Sequence, residues 1–187
     1  MKKLFYVSLF FFASTATVLN AQDVHAEDEH QSDHHSEFSP HRIGVLMGYG
    51  FIKGAVDESG NETPLIIPLI ALDYEYWFNH KIGLGLLNDL ELTSYAVESE
   101  DIEYLERSYA FITSLVFLYE PIKNWALFAG PGYEFEAHHN FPILKIGTEV
   151  GKSFEGGWGL GIALSFDIKK ENSAMSLGLV ASKRFGK

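Results

Sequence analysis

The chain has 187 residues, with 25 acidic against 14 basic side chains, a formal charge of −11 and no cysteine. An acidic chain with no basic stripe argues against a nucleic-acid partner. Without thiols there is no disulfide framework, no thiolate metal centre, no cysteine nucleophile and no lipid-anchored cysteine.

Lys2 and Lys3 precede a short apolar run, LFYVSLFFF, and Leu19-Asn20-Ala21 offers a small residue for cleavage. This is secretory signal architecture, so residues 1–21 are set aside from the fold. Val24-His25-Ala26 is a second candidate cleavage point. The run is shorter than the about 20 apolar residues that a membrane helix needs, which disfavours a retained anchor. Loss of the two lysines takes the charge from −11 to −13, of which −6 lies in residues 22–40.

Those residues hold His25, His30, His34 and His35 among six acids, with no Lys or Arg, and His41 follows. So polar a tract predicts disorder. A His-rich tract is a compositional metal signal, and neutral imidazoles with carboxylates suit Zn²⁺ or Cu²⁺. Two readings stay open: a loose chelating tail, or a solvated leader that keeps the nascent chain soluble.

From residue 41 onward no helical stripe persists, and the longest apolar run, PLIIPLIAL, carries two prolines. What recurs is alternation with period two, the strand signal. In residues 158–170, Trp158, Leu160, Ile162, Leu164, Phe166 and Ile168 share one phase, while Gly159, Gly161, Ala163, Ser165, Asp167 and Lys169 share the other. Eight segments of this kind follow in order, at about 42–53, 64–78, 81–95, 104–119, 125–137, 142–153, 158–169 and 175–185. Most exceed the about five or six residues of a soluble strand and suit the about 9–11 of a tilted membrane strand. FNHK, EPIKNW and EGGW are tight turns, whereas GAVDESGNET and VESEDIEY are longer and polar. Short turns at one end and longer loops at the other mark an outer-membrane barrel.

The aromatic residues fall in two bands. Trp77, Phe78, Tyr119, Trp125, Phe154, Trp158 and Phe185 lie beside the tight turns; Tyr49, Phe51, Tyr95, Tyr104, Tyr133, Phe135 and Phe141 lie near the other end. Aromatic girdles flanking an aliphatic band are expected of a barrel in lipid. Trp77 is out of phase with that role, since it points inward while Phe78 points out. The second face collects Gly, Ser and charge: Arg42, Asp73, Glu75, Asp89, Glu91, Glu134, Glu136, Lys145, Glu149, Asp167, Lys169 and Arg184. A Lys or Arg facing lipid at mid-depth costs about 2–4 kcal/mol, so this face is expected inside, paired and packed among inward glycines. Pro68 and Pro131 predict a bulge or local break, and Asn88, outward in mid-strand, predicts a register shift.

From about residue 41 these features resemble the small eight-stranded outer-membrane barrels of the OmpA/OmpX-like class. The last strand, SLGLVASKRFGK, is similar to their assembly signal, an alternating apolar run reaching an aromatic, here Phe185, although Gly186 and Lys187 follow. YWFNHKIGLGLLNDLEL and LYEPIKNWALFAGPGYEFE resemble uncharacterised outer-membrane barrel proteins. The resemblance implies an all-β, eight-stranded antiparallel up-and-down transmembrane barrel over residues 41–187, with a closed, charge-filled interior. It implies a monomer in outer-membrane lipid, with an unknown extracellular or periplasmic partner and no assigned activity. With eight strands both termini share a side, and the barrel rule makes that side periplasmic.

Two alternatives accompany this reading. Some barrels of this class modify lipid A with a His, a Ser and a carboxylate. That resemblance points to His138 and His139, with Glu134 or Glu136, but no Ser stands beside them at His-x-Ser spacing. A soluble lipocalin-like barrel would instead carry an apolar interior and a polar exterior. The glycine-rich GYGFIKG and GGWGLG lack the spacing of a dinucleotide loop, and alternating strand glycines account for both.

Overall fold

In a computed structural model of the chain, residues 38–56, 62–97, 105–136, 140–170 and 173–186 are described. The segment 1–21, most of the leader with His25, His30, His34 and His35, and the pair His138 and His139 lie outside the described residues.

The alternating segments form ten strands: β1 (His41–Val56), β2 (Glu62–Trp77), β3 (Ile82–Glu91), β4 (Ser94–Val97), β5 (Leu105–Ser108), β6 (Phe111–Ile122), β7 (Trp125–Phe135), β8 (Phe141–Ser153), β9 (Trp158–Ile168) and β10 (Ala174–Phe185). Eight of them build the barrel in the order β1-β2-β3-β6-β7-β8-β9-β10, and β10 pairs antiparallel with β1 to close it. The closing ladder runs from His41–Phe185 to Ile52–Ala174. At its end His41 Nδ1 lies 2.7 Å from the Tyr74 hydroxyl, and its ring stacks on Phe185 with centroids 5.4 Å apart. The expected C-terminal aromatic is thereby held at the seam between the first and last strands.

The short hairpin β4–β5 stands apart from the eight barrel strands and joins the sheet beside β1 through the Ala55–Val97 pairing. It accounts for the interruption of the expected strands 81–95 and 104–119, and Pro68 supplies the cause. In an antiparallel hydrogen-bonded pair two residues exchange both N–H···O bonds. The Leu92 N–H donates to the Pro68 carbonyl at 2.9 Å, but proline has no N–H to return. The β2–β3 ladder therefore ends at Leu69–Glu91, and the chain departs into the hairpin. The expected break is real, but it falls on the neighbouring strand, since β2 runs unbroken through Pro68.

At Pro131 the β6–β7 ladder pauses between Ser114–Gly132 and Phe117–Ala129 and resumes in the same register. This is a break without a bulge. Asn88 brings no register shift. Its pairings with Leu72 and Thr113 are continuous, because its amide donates to the Leu72 carbonyl at 2.9 Å and accepts from the Thr113 hydroxyl at 2.9 Å. A polar side chain satisfied by its neighbours can face outward without moving the ladder. The shifts that do occur lie between Ile52 and Ala55 and between Tyr119 and Ile122, at strand ends.

Among the described residues, thirty-five large hydrophobic side chains are exposed against fifteen buried hydrophobic residues. Met47 and Leu179 are 67% and 68% exposed, although they sit in the middle of long strands. In water such a surface would aggregate; in lipid it is the required exterior. The soluble lipocalin-like alternative predicts the reverse arrangement and is excluded.

Candidate functional site

The inward phase of the strands builds the lumen. Its lowest layer, beside the tight turns, centres on Trp77, which is 1% exposed. The Trp77 indole N–H donates to Glu75 Oε2 at 2.7 Å. The Arg184 guanidinium lies 4.7 Å from the ring, within cation–π range. Trp77 is thus the floor of the lumen, and its inward phase is the reason; it is no member of the girdle. Arg42 pairs with Glu75 on the adjacent strand and with Glu149 on β8, across the barrel.

The same device recurs higher up. Lys145 on β8 pairs with its ladder neighbour Asp167 at 2.6 Å and reaches across to Asp89 on β3 at 2.7 Å. Lys169, just after β9, pairs with Glu134 on β7 at 2.5 Å. Arg184 on β10 faces Glu120 on β6 at 3.5 Å. Each cation therefore links strands that the backbone ladder does not join, so the ion pairs brace the barrel across its width. Pairing of this kind is what buried charge requires.

The expected charge-filled interior is only partly correct. Apolar clusters alternate with the ion pairs: Leu46, Leu69, Ala71, Ala163 and Val180 in one, Ile52, Ile67 and Ala174 in another, and Leu87, Val116 and Leu118 with Trp77 in a third. Ile67, Leu69, Val116 and Leu118 escaped notice because the middles of β2 and β6 are apolar on both faces, so alternation there does not distinguish inside from outside. Phe141, assigned to the outer girdle, packs inward against the Ile52 cluster. Glu120 was hidden in EPIKNW, read as a turn; strand β6 extends through it.

Packing leaves little space at mid-barrel. A void of about 30 Å³ touches Asp73, Asp89, Lys145 and Glu149, enough for a water molecule. At the tight-turn end a larger cavity of about 780 Å³ opens outward. Its floor is Trp77, Arg42 and Arg184, and Lys81, Lys123 and Lys152 stand around it.

Of the sequence candidates, His25, His30, His34, His35, His138 and His139 lie outside the described residues. Among the described residues no group of three or more His, Asp or Glu side chains is arranged to hold a metal. His41 is engaged at the seam, and His80 packs edge-on against Phe38 at 4.9 Å.

A closed eight-stranded up-and-down barrel, apolar outside and braced by ion pairs within, is the small transmembrane barrel of the outer-membrane type. Solved structures bear out that fold. The chain is similar to the N-terminal β-barrel domain of Pseudomonas aeruginosa OprF, at 12% identity and a TM-score of 0.54, covering 79% of this chain and 98% of that one. It is also similar to Ail, the attachment invasion locus protein of Yersinia pestis, at 11% identity and a TM-score of 0.50, covering 79% and 100%. A third likeness is to the outer membrane protein OprG of Pseudomonas aeruginosa, at 9% identity and a TM-score of 0.50, covering 78% and 97%. No protein-family model and no curated protein matches the chain.

Proposed function

We propose that the chain is a small, non-enzymatic outer-membrane barrel of structural and interaction type, exported by residues 1–21. It resides in the outer membrane as a monomer, with both termini and the tight turns in the periplasm. The longer connections at the other end meet a partner outside the cell. The observation that carries this reading is the lumen, floored by Trp77 and cross-braced by buried ion pairs. Such a barrel is a scaffold for its loops rather than a conduit. Purified protein in planar bilayers is expected to give no discrete conductance steps in symmetric salt. Regular steps that scale with salt would overturn the closed barrel.

A second reading concerns the leader. His25, His30, His34 and His35, set among six acids with no Lys or Arg, suit capture of Zn²⁺ or Cu²⁺ on the periplasmic side. Mature protein is expected to bind either ion by calorimetric titration, and protein lacking residues 22–37 to bind far more weakly. Equal, weak binding by both removes the metal role and leaves a solvated leader.

A further inference from the structure

The tight-turn end carries a charge distribution that bracing does not explain. The chain as a whole has a formal charge of −11, yet this end gathers lysines. The turns there are tied side by side: the Glu120 N–H donates to the Lys81 carbonyl at 2.8 Å, and the Gly151 N–H to the Asn124 carbonyl at 2.9 Å. Asn124 adopts a left-handed φ of 66°, as the tight β6–β7 connection demands. It also accepts from the Ser153 hydroxyl at 2.6 Å. Two turns and the neighbouring end of β8 thereby set Lys81, Lys123 and Lys152 along one arc of the cavity.

Lys81 and Lys123 have no carboxylate partner among the described residues. Lys152 lies 5.8 Å from the Phe154 ring, which leaves its charge unneutralised. The nearby Glu120 is already engaged, by Arg184 and by the Asn124 N–H.

The apolar side of the same place is equally specific. The cavity edge continues from the lumen onto Ile122, Phe154, Trp158 and Leu160, all exposed. A soluble anion needs only the lysines. A ligand that uses both the arc and this exposed strip has an anionic head joined to an apolar body.

We propose that the tight-turn end seats an anionic phospholipid, its phosphate on Lys81, Lys123 and Lys152 and its acyl chains against Ile122, Phe154 and Trp158. Clustered lysines beside a membrane surface recognise anionic lipid by this electrostatic route. The seat would anchor the barrel at a defined depth in a leaflet that contains acidic lipid. The inference needs the barrel to lie in a bilayer, and it is independent of what the loops at the other end bind.

The test uses the refolded mature protein in nonionic micelles, with its intrinsic tryptophan emission as the signal, because Trp77, Trp125 and Trp158 all lie at this end. Dihexanoyl phosphatidylglycerol is expected to change the emission saturably, while dihexanoyl phosphatidylcholine and inorganic phosphate do not. The combined variant Lys81→Gln, Lys123→Gln, Lys152→Gln is expected to weaken binding by roughly 10- to 100-fold while the protein keeps its folded, heat-modifiable migration. The single variants Lys81→Gln and Lys123→Gln, at exposed side chains, give a smaller loss and serve if the triple variant misfolds. An equal response to both lipids would reduce the seat to an apolar surface. An equal response to inorganic phosphate would make it a site for free anions. Unchanged affinity in every variant would move the lipid elsewhere. Any of these three results overturns the proposal, and none bears on the conductance test of the closed lumen.

Discussion

Replacing Lys145 with methionine is expected to lower the unfolding free energy by about 3–5 kcal/mol, the usual cost of removing one partner from a buried ion pair. Lys145 is 1% exposed and neutralises two carboxylates, Asp167 at 2.6 Å and Asp89 at 2.7 Å. Methionine retains most of the side-chain volume, so the loss is electrostatic rather than a cavity. Asp89 and Asp167 would then share a low-dielectric space with no cation between them. Adding Asp167→Asn to the variant is expected to recover part of the loss, since the two changes act on one interaction and cannot be additive. Equilibrium urea unfolding in lipid vesicles, followed by tryptophan emission, measures all three proteins. A change below about 1 kcal/mol in the single variant would show that the backbone ladders hold the barrel without the braces, as a surface pair would.

The second large effect is steric. Gly48 lies on the closing seam opposite Gly178. A Cβ built on Gly48 would sit 2.2 Å from the Leu177 carbonyl oxygen and 2.5 Å from the Gly178 Cα. Both are backbone atoms, so β10 itself would have to move away from β1. Each ladder hydrogen bond is worth about 0.5–1.5 kcal/mol net in water, and lipid offers no replacement partner for one that breaks. Gly48→Val is therefore expected to abolish the heat-modifiable folded band after refolding. Gly44 provides the control. It stands on the same strand and the same seam, but its nearest atoms are 3.6 and 3.7 Å away, on Val180 and Asp73. Gly44→Ala is expected to fold like the parent protein. Equal folding of the two variants would show that the seam adjusts more freely than its geometry indicates.

What the amino-acid sequence determined by itself is the class of fold and, where polar and apolar residues alternate, which strand residues face out. The eight barrel strands and the inward charges other than Glu120 were legible, because a membrane barrel obeys period two under a severe penalty. A single charge facing lipid at mid-depth costs about 2–4 kcal/mol, so the pattern tolerates few exceptions. The polar residues Asn88, Thr113 and Thr148, which share the outward phase in mid-strand, satisfy their hydrogen bonds within the sheet, and Asn88 keeps the register.

The contents of the lumen were decided only by tertiary structure. Lys145 and Asp89 are 56 positions apart, and Arg42 and Glu149 are 107 apart. No local pattern records that these side chains meet across a barrel. Leu46, Ile67 and Val116 show the same limit, since an apolar residue satisfies the pattern equally well inside or outside. Trp77 had the right phase, but its function as the floor follows from Glu75 and Arg184 converging on it from two strands. The lysine arc likewise comes from two turns and the end of β8, remote in sequence, that barrel closure sets side by side. Period two records which way a residue points. What it meets there depends on how the ladders are staggered around the closed sheet, and that is fixed only once the first strand pairs with the last.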